Sequence, residues 1–183
     1  MENNWEIQIQ LVGRCRNGDV KAQFALYKMY VKAMFNIANR FLNNRFDAED
    51  VLQDSFATAF GKMNALKDDS TFGSWLKRIV INNCLTILRK KKTMVEEDIE
   101  RFNRVDIEDE SSLDFFPDPA IIHEKIKELP EKARVIFTLF ALEDYKHKEI
   151  GDLLGITEST SKTQYFRARQ LLISKLKENH HEE

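Results

Sequence analysis

A paired-helix signature fills residues 146–177, KHKEIGDLLGITESTSKTQYFRARQLLISKLK, and constrains this chain more than any other stretch. Ile150, Leu153 and Leu154 recur at helical spacing, Gly155 can end that helix in the left-handed conformation, and Thr157 can cap the next. The pattern is helix, tight turn, helix. On the second helix Ser161, Tyr165, Ala168 and Leu172 fall on one face at steps of four, three and four, and Lys162, Thr163, Phe166 and Arg167 share the neighbouring face. From Ser159 to Lys177 there are five Lys or Arg and no acid, which suits a helix laid into a groove of a phosphate polyanion. A basic face alone is more often a solvated one. The paired-helix context turns the reading toward nucleic acid, with Lys162, Thr163, Phe166, Arg167 and Arg169 as candidate contacts.

The net charge of −2 is a sum of opposed blocks. Residues 70–95 hold six bases (Lys77, Arg78, Arg89, Lys90, Lys91, Lys92) and no acid, whereas residues 96–118 hold ten acids and two bases. No apolar run approaches membrane-spanning length, and Asn3, Asn4 and Glu6 do not resemble a signal peptide, so the expectation is a cytoplasmic protein without membrane insertion. Cys15 and Cys84 are far apart and lack metal-type spacing; buried thiols are expected. His123, His147, His180 and His181 are scattered, and only the terminal pair could take up a metal adventitiously. With no nucleophile-base pattern, phosphate-binding glycine loop or metal-ligand cluster, the sequence gives no reason to expect an enzyme, a metal site or a cofactor.

Taken in order, the chain reads as all-α. Ile7–Cys15 forms a short helix closed by Asn17-Gly18, and Asp19 caps a longer one whose apolar stripe is Phe24, Tyr27, Val31, Met34, Ala38 and Phe41. After Asn43-Asn44-Arg45, Asp47 caps a third helix with Val51, Leu52, Phe56, Ala59, Phe60 and Met63 inward. Asp50, Gln53 and Asp54 lie off that stripe and close together. The helix dipole accounts for Asp47 and Glu49 better than for Gln53 and Asp54. Ser70 or Thr71 caps a helix over Phe72–Lys92, in which the mid-helix pair Asn82-Asn83 needs something to bond, because Asn is a poor interior helix residue. Residues 94–117 read as an acidic linker, solvated or laid against a basic face. Asp118-Pro119 and Leu129-Pro130-Glu131 each open a helix with Pro at its first position. The fold class is thus two small helical domains joined by an acidic linker, the second carrying the helix-turn-helix.

Three segments carry a resemblance: AEDVLQDSFATAF from Ala48 to Phe60, FGSWLKRIVINNCLTILRKKK from Phe72 to Lys92, and LPEKARVIF followed by HKEIGDLLGITESTSKTQYFRARQLL. In that order and spacing the chain resembles an extracytoplasmic-function (ECF) sigma factor of the sigma-70 family. The resemblance implies a first domain over residues 1–93 that binds core RNA polymerase and the promoter minus-ten element, a linker over 94–117, and a second domain over 118–183 that reads the minus-thirty-five element. By position, Asp50, Gln53 and Asp54 match the contact with core polymerase. The loop Leu66 to Thr71 and the helix bearing Asn82, with Trp75, Lys77, Arg78, Arg89 and Lys90, match the minus-ten reader. Lys162, Thr163, Phe166, Arg167 and Arg169 match the minus-thirty-five readers. An anti-sigma factor is an expected partner beside core polymerase and promoter DNA. The large N-terminal inhibitory region and middle domain of housekeeping sigma factors have no counterpart in this sequence.

Four positions depart from the family's habits: Lys146 replaces a Ser or Thr cap, Gly151 an Ala, Ser161 a Val, and Thr86 a frequent Asp. On cap and propensity grounds the first three weaken the second domain by a few tenths to about 1 kcal/mol each. The rival reading is a helix-turn-helix repressor or activator that binds duplex DNA without core polymerase and has no use for Asp50, Gln53 and Asp54.

Overall fold

The helix and turn signals resolve into two units, Met1–Lys92 and Thr93–Glu183, in a computed structural model that describes residues 4–92 and 117–181. The first unit holds α1 (Asn4–Arg16), α2 (Val20–Leu42), α3 (Arg45–Gly61), 3-10 turns at Met63–Ala65 and Asp69–Thr71, and α4 (Phe72–Lys92). The second holds α5 (Pro119–Lys127), α6 (Glu131–Phe137), a π-helical turn (Thr138–Leu142), α7 (His147–Leu154) and α8 (Glu158–His181). No strand occurs among the described residues. The acidic segment 94–116 and the side chains of His180 and His181 lie outside them.

In the first unit α2, α3 and α4 pack together and α1 lies against α2 and the 3-10 turn that enters α4. Gly18, at φ +77°, turns the chain after α1, and the Asp19 carboxylate accepts the amides of Lys21 and Ala22 at the open end of α2. Met34, Ala38 and Phe41 are buried as their spacing requires, but Phe24 is 57% exposed. The inward seam at that end of α2 runs through Ala22 and Leu26, so Phe24 is turned outward and carries the Lys28 ammonium over its ring at 4.4 Å. The α3 cap also falls elsewhere than expected. Asn44 accepts the Asp47 amide at 3.1 Å, which places Asp47 inside the first turn, where it pairs with Lys91 of α4. The turn before α4 is capped by Asp68, whose carboxylate accepts the Ser70 amide and hydroxyl, and not by Ser70 or Thr71. Phe72, Leu76, Val80, Ile81, Cys84, Leu85 and Leu88 are buried, Ile81 and Cys84 at 0% exposure. Burial raises the Cys15 thiol to about 11 and the Cys84 thiol to about 12, so both are inert core residues.

In the second unit Asp118 caps α5 through the Ala120 amide, with Pro119 at the first helical position. Pro130 is instead the capping residue of α6, one position before the helix, and has no side chain with which to cap. The guanidinium of buried Arg134 reaches back to the Leu129 carbonyl at 2.9 Å. Ile126, Leu129, Ala133, Phe137, Ala168, Leu172 and Leu176 form the core in which α5 and α6 meet α8.

Candidate nucleic-acid interface

Three exposed groups on this framework need an account. The first lies on α3. Registered by the Asn44 cap, the helix turns Val51, Leu52, Ser55, Phe56 and Ala59 inward and leaves Asp50, Gln53 and Asp54 exposed. Their side chains make no hydrogen bond or ion pair among the described residues. An open hollow of about 410 Å³ between α2 and α3 adjoins Gln53, walled by Tyr27, Val31, Phe35 and Leu52. Arg45 and Glu49 close one side of it through an ion pair of 2.8 Å. Gln53 thus borders a hollow of mixed apolar and charged lining, with Asp50 and Asp54 exposed on the same helix, an arrangement suited to a protein partner.

The second group is on α4. Steps of three, four and seven put Trp75, Arg78, Asn82 and Arg89 on one stripe, with Lys90 beside it. Arg78, Asn82, Arg89 and Lys90 are exposed and Trp75 half-buried. Lys77 does not join them: it lies about a third of a turn away, toward the packed side. The two asparagines have separate roles. Asn83 donates to the fully buried Ser55 hydroxyl of α3 at 2.9 Å, while the Asn82 side chain faces solvent. At the head of this stripe stands the loop 66–71, with Lys67, Asp68 and Thr71 exposed. It is held from behind by Gln8 and Arg16 of α1. Sequence reading missed both residues; the only local clue is Gln8, a polar residue on the buried face shared with Leu11, Val12 and Cys15.

The third group is on α8. Gly155, at φ +69°, ends α7, and the Thr157 hydroxyl accepts the Thr160 amide at 3.0 Å to open α8, as the sequence indicated. Only half a capping box opens α7: Glu149 accepts the Lys146 amide at 2.8 Å, but the lysine side chain has no acceptor to return. Ser161, Gln164, Ala168 and Leu172 are buried. Ser161 meets His147 Nδ1 at 3.0 Å, and the imidazole is stacked on Phe140 with centroids 4.1 Å apart. This contact joins α7 and α8 through a hydrogen bond. The His147 imidazole is held below its ordinary value by desolvation and then by nearby Lys162, against an opposing pull from Glu158. Lys162, Thr163 and Phe166 occupy the centre of the outward face, flanked by Arg169 and Arg167. Arg167 is only half exposed, and its Nε is buried with no hydrogen-bond partner among the described residues. Lys162 is paired with Glu158 at 2.7 Å and must leave that carboxylate to reach a phosphate. Among the described residues no cluster of three His, Cys, Asp or Glu could hold a metal ion, and no helix is long and apolar enough to cross a membrane.

Residues 26–93 match the family model of Sigma-70 region 2 and residues 120–172 that of Sigma-70 region 4. These regions define the class: a transcription initiation factor that binds core RNA polymerase. The chain is 27% identical to the ECF RNA polymerase sigma factor SigW of Bacillus subtilis over 178 residues, 91% of this chain and 95% of the relative. It is 26% identical to the RNA polymerase sigma-H factor of Pseudomonas aeruginosa over 174 residues, covering 89% and 90%. In fold it is similar to the sigma factor RpoE solved with the anti-sigma factor NepR from Bartonella quintana, at TM-score 0.55 and 21% identity over 86% of this chain and 98% of that one. It is similar also to CnrH solved with the cytosolic domain of CnrY, at TM-score 0.55 and 21% identity over 93% and 97%. The chain belongs to the ECF group of the sigma-70 family. A DNA-binding repressor or activator that works without polymerase is not the reading these matches favour.

Proposed function

We propose that residues 1–93 act as sigma domain 2 and residues 118–183 as sigma domain 4, joined by the acidic linker 94–117, and that the exposed groups divide the work of initiation. Asp50, Gln53 and Asp54 bind core polymerase. The loop Leu66 to Thr71 with Trp75, Arg78, Asn82, Arg89 and Lys90 traps unpaired minus-ten bases, Lys77 contributing charge from the side of the helix. Lys162, Thr163, Phe166, Arg167 and Arg169 read the minus-thirty-five duplex. Melting is then driven by tighter binding to the open strand than to the duplex, and polymerase carries out all the chemistry in the cytoplasm, with no metal or cofactor held by this chain.

The observation that carries this reading is the separation, within one small unit, of an exposed acidic face on α3 from a basic, Trp-bearing stripe on α4. A repressor domain needs no such pair of surfaces. Control by an anti-sigma factor is part of the proposal, because the two solved structures named above are complexes, one of them with a protein named as an anti-sigma factor.

Arg167 and Asn82 test the division. Loss of an Arg contact to a guanine edge costs about 1–3 kcal/mol. Arg167→Ala should weaken recruitment to duplex yet open a pre-melted template normally, whereas Asn82→Ala should keep recruitment and lose open complex. Permanganate reactivity on matched and mismatched templates reads both. Equal defects for both variants on both templates contradict the assignment.

A further inference from the structure

The loop 66–71 has no regular hydrogen-bond ladder of its own beyond one 3-10 turn, yet it is held by an unusual density of contacts from α1. Gln8 Nε2 donates to the carbonyls of both Asp69 and Ser70, at 2.9 and 3.1 Å. Gln8 Oε1 accepts the Tyr30 hydroxyl at 2.5 Å, so every polar atom of that buried amide is engaged. Tyr30 reaches Gln8 by passing Gly73, where a Cβ would stand 2.9 Å from the tyrosine ring. Eight residues along α1, Arg16 makes a two-point ion pair with Asp69 and donates to the Leu66 carbonyl at 2.8 Å. Thus both ends of the loop, Leu66 and Asp69–Ser70, are anchored to one helix, while Lys67, Asp68 and Thr71 stay exposed. A fold needing only to close a turn would not require two polar side chains, a tyrosine and a glycine to fix four backbone or side-chain acceptors.

We propose that α1 is a strut for base reading: Gln8 and Arg16 are positioning residues that set the height of the loop 66–71 over the α4 stripe, and so set which minus-ten base the loop accepts. This rests on the assignment of that loop and Asn82 to the minus-ten strand. The strut acts through geometry alone, since neither Gln8 nor Arg16 need touch DNA. A displacement of about 1 Å in a positioned group can cost about a hundredfold in the step that it supports.

Holoenzyme formed from the full chain and core polymerase is offered pre-melted templates, built on a start site mapped with the wild type, whose minus-ten non-template bases are randomised. Sequencing the bound DNA gives a base preference at each position. Gln8→Leu and Arg16→Gln should each flatten the preference at one or two positions by about fivefold or more, with core binding unchanged. Arg16→Lys, which keeps the pair to Asp69 but loses the Leu66 bond, should recover part of it. If Gln8→Leu does not fold, Tyr30→Phe, which removes one hydroxyl, should still flatten the same positions. Variants that fold, bind core and select as the wild type does overturn the strut. Asn82→Ala separates the two levels: selection lost there but kept in the α1 variants removes only the strut, and a wild type without selection, or selection untouched by Asn82→Ala and by the α1 variants alike, removes the minus-ten assignment with it.

Discussion

Gly151→Ala should destabilise the second unit, although it exchanges a poor helix former for the best one. Propensity alone predicts a gain of about 1 kcal/mol. In the folded chain, however, a Cβ at position 151 would stand 2.7 Å from the Ile156 carbonyl oxygen, and that oxygen belongs to backbone in the turn between α7 and α8. The turn cannot simply move aside, because the amides of Gly155 and Ile156 both bond the Gly151 carbonyl, the latter at 3.1 Å. Relieving the overlap costs about 1–3 kcal/mol by analogy with overpacked cores. Stretching two turn hydrogen bonds adds a fraction of their roughly 0.5–1.5 kcal/mol each. Set against the propensity gain, the net loss is about 1–2 kcal/mol, or roughly 5–15 °C in the midpoint of a unit this size. Calorimetry on the full chain reads it, with Thr157→Ala, which removes the neighbouring cap, identifying the transition that belongs to this unit. A midpoint that rises on Gly151→Ala refutes the close-approach argument and leaves propensity in charge.

Two further outcomes follow from buried polar contacts. Asn83→Ala strands the fully buried Ser55 hydroxyl and should cost about 1–2 kcal/mol in urea unfolding, more than Ser55→Ala, which leaves half-buried Asn83 able to turn to water; equal costs contradict this. His147 is held below its ordinary 6.5, so its neutral form is the one the fold prefers: as pH falls the unfolded chain takes the proton first, and stability is lost from about 6.5 down to the lower folded-state value, then levels. His147→Gln should therefore shrink the drop in thermal midpoint between about pH 7.5 and 5.5, and an unchanged drop shows that other groups produce it.

What the sequence disclosed and what it hid differ in range. Gly18, Asp19, Asp118, Gly155 and Thr157 each act on amides or carbonyls within a few residues, so their turns and caps were legible, and the helices followed from apolar period. Even there, Asn44 displaced Asp47 and Asp68 displaced Ser70, since adjacent capping residues compete and only the packed structure selects one. Phe24 was misplaced because an apolar period tolerates two seams near a helix end, and α2 uses Ala22 and Leu26 there. The contacts of Gln8 with residues 61 and 62 positions away have no periodic signature at all. Nor does the approach of Ile156 to Gly151, which is why a residue that looked like a weak helix choice is one the turn requires. Of the candidate nucleic-acid residues, the exposed stripe on α4 and the centre of the α8 face were visible as helix geometry. The offset of Lys77 was equally available from that arithmetic, but the buried Nε of Arg167 depended on tertiary packing.

The central claim is that this chain engages core RNA polymerase through the α3 face, and co-purification of core enzyme with the tagged full chain tests it most directly. Asp50, Gln53 and Asp54 are exposed, and the side chains of Gln53 and Asp54 make no hydrogen bond or ion pair among the described residues, so Gln53→Ala with Asp54→Ala should leave helical content and thermal midpoint as they are. The wild type should retain core polymerase, and the double variant should lose it. A wild-type chain that retains no core enzyme, or a folded double variant that retains as much as the wild type, contradicts the account.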